Sequence, residues 1–480
     1  MKSLYPLLLV FNKDDSKLFL TRLISLIMIF ALWFTPPPTG ITVQAWHLFA
    51  IFVTTIISVV IGAFPIFVAA IFAGSATILT GTLTAAKTFA GFGSGFLLLI
   101  ILAFVGARAV LKSRLGERIG QFVVGKLGKS TLGLSYSIFI MDAIIAPAFP
   151  SNTARSGVLF PLAVSLNDAL GAKPEEQGKR RLGGFLHFSC IASLSLSSAL
   201  WLTAMAANPA GAALAKSVAG LDITFGSWFI AASIPTLVGI ILLPYILYRV
   251  IRPEITHTPE AAAQAKRILK EMGPMSRDEI IVATTYVVMI VLWALSSTFQ
   301  IDTAAVAFGG LGIMMASGVL KMEDIAKEGE ALAIFIWFAL MLTLSSQLNE
   351  LGFMKYLGEA FAGTLSGQPW MVSFVALITI YVLIHYLFVS QTAHMVALFG
   401  VFLGVGVILG VPAAALAFSL LFATNYFSCI TPQGSSANLL AVGSGFMTTG
   451  EVYKLGALTT LVNFLIYTVI GIPWILFVAA

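Results

Sequence analysis

Charged residues are scarce in this sequence. Asp, Glu, Lys and Arg make up 10% of its 480 residues, and 59% are hydrophobic, whereas a soluble domain carries about 25% charged residues. Apolar runs of about 18 or more residues recur from end to end, and each can cross a hydrocarbon core of roughly 30 Å as a helix. The scarcity of charge excludes an ordinary soluble protein and predicts an all-α polytopic membrane protein.

Cysteines and enzyme motifs are equally sparse. Cys190 and Cys429 are the only cysteines and both lie in apolar segments, which argues against a disulfide framework or a structural zinc site. The sequence contains no HExxH, no GxSxG and no paired carboxylates in its apolar segments. We therefore expect no enzymatic activity, no cofactor and no metal. An intramembrane enzyme using Ser151 or Ser390 with His394 is the weakest alternative.

The apolar segments predict about 11 transmembrane helices and two longer stretches that break in the middle. The helices are expected near residues 18–35, 46–63, 66–83, 96–110, 182–206, 225–248, 280–298, 303–320, 331–346, 412–432 and 455–478. The broken stretches are 130–168 and 370–409. The segment AAAQAKRILKEM, within the polar stretch 249–279, is expected to lie as a surface helix.

These segments divide the chain into two halves. The expected units are the helices of 1–129 and 280–369, the broken hairpins with their following helices in 130–248 and 370–480, and a cytoplasmic linker in 249–279.

The basic residues predict how the chain crosses the membrane. The net charge is +6, and we attribute it to cytoplasmic loops rather than to a nucleic-acid partner. Both flanks of 130–168 are basic, so this stretch is expected to enter and leave on the cytoplasmic side as a re-entrant hairpin. With the second hairpin entering from outside, 23 of the 27 Lys and Arg residues lie inside and 3 outside. The N-terminus, which shows no cleavable signal, is then cytoplasmic and the C-terminus outside, in the cell membrane.

The two breaks follow one formula: Ser, a side-chain amide, Thr, Ala and a basic residue. They read Ser151-Asn152-Thr153-Ala154-Arg155 and Ser390-Gln391-Thr392-Ala393-His394, 239 residues apart. Paired broken helices in an inverted repeat indicate a transporter binding site near the midplane of the membrane. Helices that start at such tips present free N–H groups and a positive dipole end, to which the hydroxyls and amides add donors. The six tip residues are therefore expected to bind a small molecule with two carboxylates, although ordinary N-caps look the same one at a time.

Arg155 and His394 are expected beside this site. A charge at the bilayer centre costs at least ~2.5–3.5 kcal/mol, so Arg155 needs the substrate, a snorkelling path or a buried acid. Asp142 is the nearest acid, but at ~1.5 Å per residue it lies about 13 Å from the tip and Arg155 about 6 Å, which argues against a pair. Asp142 itself is either a proton or cation site or a capped core acid. The alternative for His394 is a core histidine satisfied by its neighbours, as expected for His47, His187 and His385.

A second pair of segments is expected to unwind. Cys190 and Cys429 are also 239 residues apart, and each precedes a run of small polar residues, IASLSLSSAL and ITPQGSSANL. Such runs are places where a helix can free its backbone carbonyls. The expected unwound residues are Ser197, Ser198, Thr431, Pro432, Gln433 and Gly434.

The tips SNTAR and SQTAH resemble those of the divalent anion:sodium symporter (DASS) family, and ITPQGSSANLLAVGSGF resembles its second unwound-helix motif. The most similar branch is that of the bacterial citrate/succinate and plastid 2-oxoglutarate/malate exchangers. The resemblance implies a homodimer in which a transport domain moves against a scaffold as an elevator. It assigns 1–129 and 280–369 to the scaffold, and 130–248 and 370–480 to the transport domain. By the motif match, Ser151, Asn152, Thr153, Ser390 and Thr392 would bind carboxylate, whereas Gln391 departs from the usual Asn.

In the symporter branch of that family, sodium ions sit behind each tip. Arg155 and His394 are expected to replace them, which predicts exchange of succinate, malate, 2-oxoglutarate or citrate, because an empty site would carry an uncompensated Arg155 charge through the membrane. The alternatives are a sodium- or proton-coupled symporter of the same fold and a channel.

Overall fold

Helices build the whole described part of the chain. The computed structural model describes residues 13–174, 180–365 and 367–478, and among these the only β-type contact is an isolated bridge between Ser130 and His257. Ten helices in this part are long and apolar enough to cross a membrane. The prediction of an all-α polytopic membrane protein is therefore confirmed. Lys2 and Lys179, two of the 23 basic residues expected on the cytoplasmic side, lie outside the described residues.

The described residues of the first half form eleven α-helices. They are α1 (Lys13–Phe34), α2 (Val43–Val60), α3 (Ile66–Leu79), α4 (Ala85–Thr88), α5 (Gly95–Ser113), α6 (Leu115–Leu127), α7 (Thr131–Ile145), α8 (Asn152–Ala169), α9 (Arg180–Leu200), α10 (Ala207–Ala219) and α11 (Phe225–Ile251). The polar linker then forms the predicted surface helix, α12 (Pro259–Met272). It packs on α6 through its buried face of small residues, Ala261, Ala262 and Ala265.

In the second half, the part of the chain that the structure describes forms twelve α-helices. They are α13 (Arg277–Ala294), α14 (Ser296–Phe299), α15 (Thr303–Ala316), α16 (Met322–Ala326), α17 (Gly329–Glu350), α18 (Phe353–Leu365), α19 (Trp370–Ile384), α20 (Gln391–Ile408), α21 (Ala413–Tyr426), α22 (Ser436–Gly443), α23 (Thr449–Ile466) and α24 (Ile472–Val478). The short helices α18 and α22 are absent from the sequence-based prediction.

Helix α9 forms the centre of the molecule. Its apolar window is 100% buried, against 6% for α1, and it contacts α7, α8, α11 and α21. Its small residues, such as Gly183 and Gly184, let neighbouring segments approach closely, since a Cβ at Gly183 would lie 2.1 Å from the ring of Phe446. This packing places the C-terminal end of α9 beside the two tips.

Two predicted helices end earlier than expected. The helix expected over 412–432 is α21, which ends at Tyr426. The helix expected over 182–206 ends at Leu200, a short 3-10 turn follows at Leu202–Ala204, and α10 begins at Ala207. The chain therefore breaks between α9 and α10, where the sequence reading continued one helix.

The basic segment after α5 meets acidic residues of the second half. Lys112 donates a hydrogen bond to Asp324 at 2.6 Å, which lowers the pKa of that carboxyl. Arg118 contacts Glu279 at 2.5 Å and donates to the Gly273 carbonyl oxygen at 2.9 Å. These contacts hold α5 against α16, and α6 against the linker and the start of α13.

Candidate functional site

Helices α8 and α20 begin at two tips of the same geometry. Ser151 and Ser390 are their N-caps, with φ/ψ of −147/129° and −143/125°. Each hydroxyl accepts from the N–H three residues on, Ala154 or Ala393, at 3.3 Å. A short 3-10 turn and an extended phenylalanine precede each cap. The shared sequence formula thus builds the same turn twice, and each turn leaves further first-turn N–H groups without a partner inside the helix.

The tips touch through their amide side chains. Asn152 Nδ2 donates to Gln391 Oε1 at 3.0 Å, and Gln391 Nε2 donates to the Thr424 carbonyl oxygen at 2.8 Å. Asn152 Oδ1 accepts from Ser198 Oγ at 2.6 Å. Both amides are therefore engaged with the protein. The donors left for a ligand are the hydroxyls of Ser151, Ser390 and Thr392 and the backbone N–H groups, whereas Thr153 Oγ1 already contacts Ser436 Oγ.

Both tips line one cavity of about 350 Å³. All six predicted tip residues reach it, as do Gly434, Ser435 and Ser436, and its opposite wall is apolar. That wall includes Ile66, Phe67, Phe104, Ile334, Trp337 and Phe338. None of the lining residues carries a formal charge. An anion in this cavity would meet helix N-termini and hydroxyls on one side and a hydrophobic surface on the other.

Arg155 lies behind the first tip rather than in the cavity. Its side chain is 0% exposed and its Nη1 lies 3.2 Å from Asp142 Oδ1, which is also 0% exposed. Nη1 also donates to Ser197 Oγ and Nη2 to Asn152 Oδ1, each at 2.6 Å, and Nη2 contacts Ser198 Oγ. The guanidinium thus ties the tip to the end of α9.

The expectation that Asp142 and Arg155 stay apart is wrong. The expectation was based on the distances of Asp142 and Arg155 from the tip along the helix axis, which differ by about 7 Å at ~1.5 Å per residue. An extended arginine side chain covers a distance of that order, and Arg155 reaches back along the partner helix to Asp142.

The chain breaks after α9 and after α21 in matching ways. Asn208 Nδ2 donates to the carbonyl oxygens of Ser198 and Trp201 at 2.8 and 3.1 Å. Asn438 Nδ2 makes the same pair of bonds, to residues ten and seven positions earlier, at 2.7 and 2.8 Å. The two asparagines hold freed carbonyls at both breaks. The Ala-Asn pair at 207–208 and 437–438 was the available sequence signal, and the sequence reading missed it.

This match corrects the predicted unwound residues. The breaks correspond at a spacing of 230 residues, the separation of Asn208 and Asn438, rather than at the 239 taken from the cysteines. Ser197 and Ser198 therefore lie inside α9, where they bind Arg155. Thr431, Pro432, Gln433 and Gly434 lie between helices, and of these only Gly434 lines the cavity.

His394 lies behind the second tip. It is 0% exposed, and its ring is surrounded by those of Tyr381, Phe388, Phe427 and His385, at centroid distances of 4.4, 4.8, 4.8 and 5.2 Å. Neither ring nitrogen of His394 has a hydrogen-bond partner among the described residues, whereas His385 Nε2 lies close to Gly434.

Comparison with known proteins identifies the family. The model of the sodium:sulfate symporter transmembrane region matches residues 16–480. The chain belongs to this family, the divalent anion:sodium symporters. Members at more than 30% identity include YflS of Bacillus subtilis (strain 168), named as a candidate malate transporter, which is 41% identical over 96% of this chain and 98% of its own length. A second is dicarboxylate transporter 2, chloroplastic, of Spinacia oleracea, 36% identical over 92% of this chain and 78% of its own length.

Solved structures show the same fold. The Alcanivorax borkumensis YdaH transporter superposes with a TM-score of 0.59 at 14% identity and covers 96% of this DASS-family chain and 97% of its own. The chain is thus a multi-pass transport protein and not an enzyme, with dicarboxylate transporters among its relatives.

Proposed function

We propose that the protein exchanges small dicarboxylates, of the succinate, malate or 2-oxoglutarate class, across the membrane without sodium. The observation that carries this proposal is the pair of matched helix N-termini that open into one uncharged cavity. Each tip offers N–H groups and hydroxyls to one carboxylate. Two such sets suit a molecule with a carboxylate at each end, and a third carboxylate, as in citrate, would face the apolar wall.

The guanidinium of Arg155 supports independence from sodium. In the symporter branch, the resemblance places an ion behind each tip, held by side chains of the tip and by the second broken helix. Behind the first tip of this chain, the guanidinium already occupies the side-chain oxygens of Asn152, Ser197 and Ser198. A sodium ion there would have to displace a covalently attached cation and would repel it. His394 holds the equivalent position behind the second tip.

The Asp142–Arg155 pair changes the argument for exchange. Because Asp142 compensates the Arg155 charge, an empty site does not carry a bare cation. It does carry unliganded N–H groups and two positive helix ends past the wall of Phe67, Phe104 and Trp337. Each unpaired polar group costs roughly 1–3 kcal/mol once it leaves water, so several together slow the return of the empty carrier. A bound dicarboxylate satisfies them, and the loaded carrier moves faster.

The movement is proposed to be an elevator motion of the tips and broken helices against a scaffold in a homodimer. The tip segments are proposed to be re-entrant hairpins of an inverted repeat, with the N-terminus cytoplasmic and the C-terminus outside. Matched caps and matched asparagine bonds in the two halves support the repeat.

Uptake into proteoliposomes tests this proposal. Radiolabelled succinate, malate and 2-oxoglutarate would be offered without sodium to vesicles preloaded with unlabelled dicarboxylate and to empty vesicles. We expect uptake into preloaded vesicles only, unchanged by added sodium. Arg155→Ala should abolish it, and Arg267→Ala, on the exposed side of α12, serves as the control that retains it.

Two results would contradict the proposal. Uptake into empty vesicles that depends on a sodium or proton gradient would establish a symporter of the same fold. Ionic conductance without counterflow would establish a channel.

A further inference from the structure

The pocket behind the second tip contains two buried histidines, one of which makes no use of its hydrogen-bonding capacity. His385 and His394 are both 0% exposed. Neither ring nitrogen of His394 has a partner among the described residues. The ring of His385 lies beside it at a centroid distance of 5.2 Å, with its Nε2 close to Gly434. A neutral imidazole carries one donor and one acceptor, and a buried group left unpaired is costly. An unpaired buried histidine beside a second one points to something that binds between them.

The surrounding rings favour a cation there. His394 lies 4.4 to 4.8 Å from the rings of Tyr381, Phe388 and Phe427, and His385 stacks on Phe427 at 3.9 Å. A cation within about 6 Å of an aromatic centroid is attracted by the ring quadrupole. Cages of this kind stabilise a positive charge without a carboxylate, and this pocket has no carboxylate bonded to either histidine in the described chain.

The two tips differ in how they hold charge. Position 155 corresponds to 394 and position 142 to 381, each 239 residues apart. At these positions, the first tip has the permanent ion pair of Arg155 and Asp142. The second tip has His394 and Tyr381, and the Tyr381 hydroxyl is bonded to Thr424 at 2.8 Å. A permanent cation at one tip is thus matched by a group at the other that can be neutral or charged.

We propose that His385 and His394 form a one-proton site, which takes up a single proton when a dicarboxylate binds between the tips. The inference rests on the proposed function, because the dicarboxylate supplies the negative charge that favours protonation. The proton adds to a ring nitrogen of one histidine, and the second histidine can accept a hydrogen bond from it. The loaded site then carries one net negative charge instead of two, since Asp142 and Arg155 already compensate each other.

No other group facing the pair competes for this role. Tyr381 on α19 contacts the ring of His394, and its hydroxyl is neutral when protonated. Among the described side chains, the charged residues on helices packed against α20 are all exposed; they are Lys216 on α10, Glu350 on α17, and Lys355 and Glu359 on α18. Two histidines without a third ligand are too few for a metal, and no metal-binding cluster of three occurs among the described residues.

The site couples to the cavity through short connections. His394 lies in the first turn of α20, with its N–H bonded to the Ser390 carbonyl oxygen at 3.0 Å. His385 Nε2 lies close to Gly434, which lines the cavity. A dicarboxylate on the second tip is therefore one helical turn from the pair. Binding and protonation stabilise each other, and by linkage the affinity for dicarboxylate falls as pH rises, by up to tenfold per pH unit for one proton.

Isothermal titration calorimetry of the full-length protein in detergent tests the proposal. Succinate would be titrated at fixed pH near ~7.5, where it is a dianion, in buffers of different ionisation enthalpy. The slope of the observed heat against that enthalpy gives the number of protons taken up. We expect a value approaching one in the wild type and near zero in His385→Gln and His394→Gln. His47→Gln, whose ring stacks on Trp33 at 3.8 Å, should keep the wild-type value.

The outcomes separate this inference from the proposed function. Binding heat without proton uptake in the wild type overturns the one-proton site and leaves dicarboxylate transport standing. Uptake that persists in both histidine variants places the proton elsewhere and also overturns it. No binding of succinate, malate or 2-oxoglutarate contradicts the proposed function and the inference with it.

A second measurement covers the case in which the variants do not fold. An infrared difference spectrum of the wild type with and without succinate should show imidazolium bands that shift on ¹⁵N-histidine labelling. Their absence overturns the assignment.

Discussion

At the scale of single residues, the site depends on a buried ion pair that the sequence alone placed incorrectly. Asp142 and Arg155 are 13 positions apart, on two helices that a tip separates. Distance along the axis does not report how far a side chain extends, so the residue types could be identified but not their contact. The other contacts of Arg155 involve Ser197 and Ser198, whose predicted role was to be unwound. The serines are important for their hydroxyls and not for their backbone.

Removing Asp142 should destabilise the protein strongly. Asp142→Asn leaves the Arg155 guanidinium buried without its counter-charge, and breaking one partner of a buried pair costs about 3–5 kcal/mol. Thermal unfolding in detergent, followed by tryptophan fluorescence, should show a large fall in Tm. Asp168→Asn, on the exposed face of α8, is the matched control and should leave Tm nearly unchanged.

The double variant Asp142→Asn/Arg155→Gln tests whether the fall in stability comes from the unpaired charge of Arg155. It should recover most of the lost stability, because no charge then remains buried, but not transport. If Asp142→Asn unfolds no earlier than the control, the two groups do not form a pair in the protein.

At the scale of elements, the tips could be predicted and the breaks could not. A Ser N-cap, an amide and a Thr at the start of an apolar run are a local signal for a helix start, and both helices begin where that signal lies. The end of α9 has no such local signal, since LSLSSALWLTAMAANPAG mixes small polar and apolar residues along its length. Tertiary contacts decide the break, through the Asn208 side chain that binds the freed carbonyls. Those contacts come from packing, which a pattern of residue types does not specify.

Gly434 is the element-scale position most sensitive to substitution. A Cβ there would lie 3.0 Å from His385 Nε2, from the Ser428 carbonyl oxygen and from Thr431 Oγ1, so the break would have to shift. Overpacking of this kind costs typically about 1–3 kcal/mol, and we expect Gly434→Ala to lower the exchange rate about tenfold while the protein stays folded. Gly443→Ala at the end of α22, where a Cβ meets nothing within 4 Å, should exchange like the wild type. Equal rates for the two variants would show that the break tolerates displacement.

At the scale of the whole molecule, composition and hydropathy predicted the class but not the assembly of the helices. The predicted spans are helical, because an apolar run in a bilayer has few other ways to satisfy its backbone. Which helix lies at the centre could not be predicted, since α9 is less apolar than the peripheral α1 and yet fully buried. Its small and polar residues face other helices, where lipid-facing helices carry large apolar side chains.

A carrier with this architecture should present its first tip to both sides of the membrane in turn. Thr153 is exposed in the cavity, and the native Cys190 and Cys429 are 0% exposed, so Thr153→Cys introduces a distinct accessible thiol. We expect a membrane-impermeant thiol reagent to modify it from either side of sealed vesicles, and succinate to slow the reaction.

Two further thiols calibrate the sides in that experiment. Lys216→Cys is predicted to react from outside only, and Arg267→Cys from inside only, because the distribution of basic residues predicts a cytoplasmic α12. With the sides fixed in this way, reaction of Thr153→Cys from one side alone would rule out alternation of the tip. Reaction of Lys216→Cys from inside would instead reverse the proposed orientation of the chain. Exchange would still be expected in the reversed orientation, because it depends on the cavity and the tips and not on which compartment they face first.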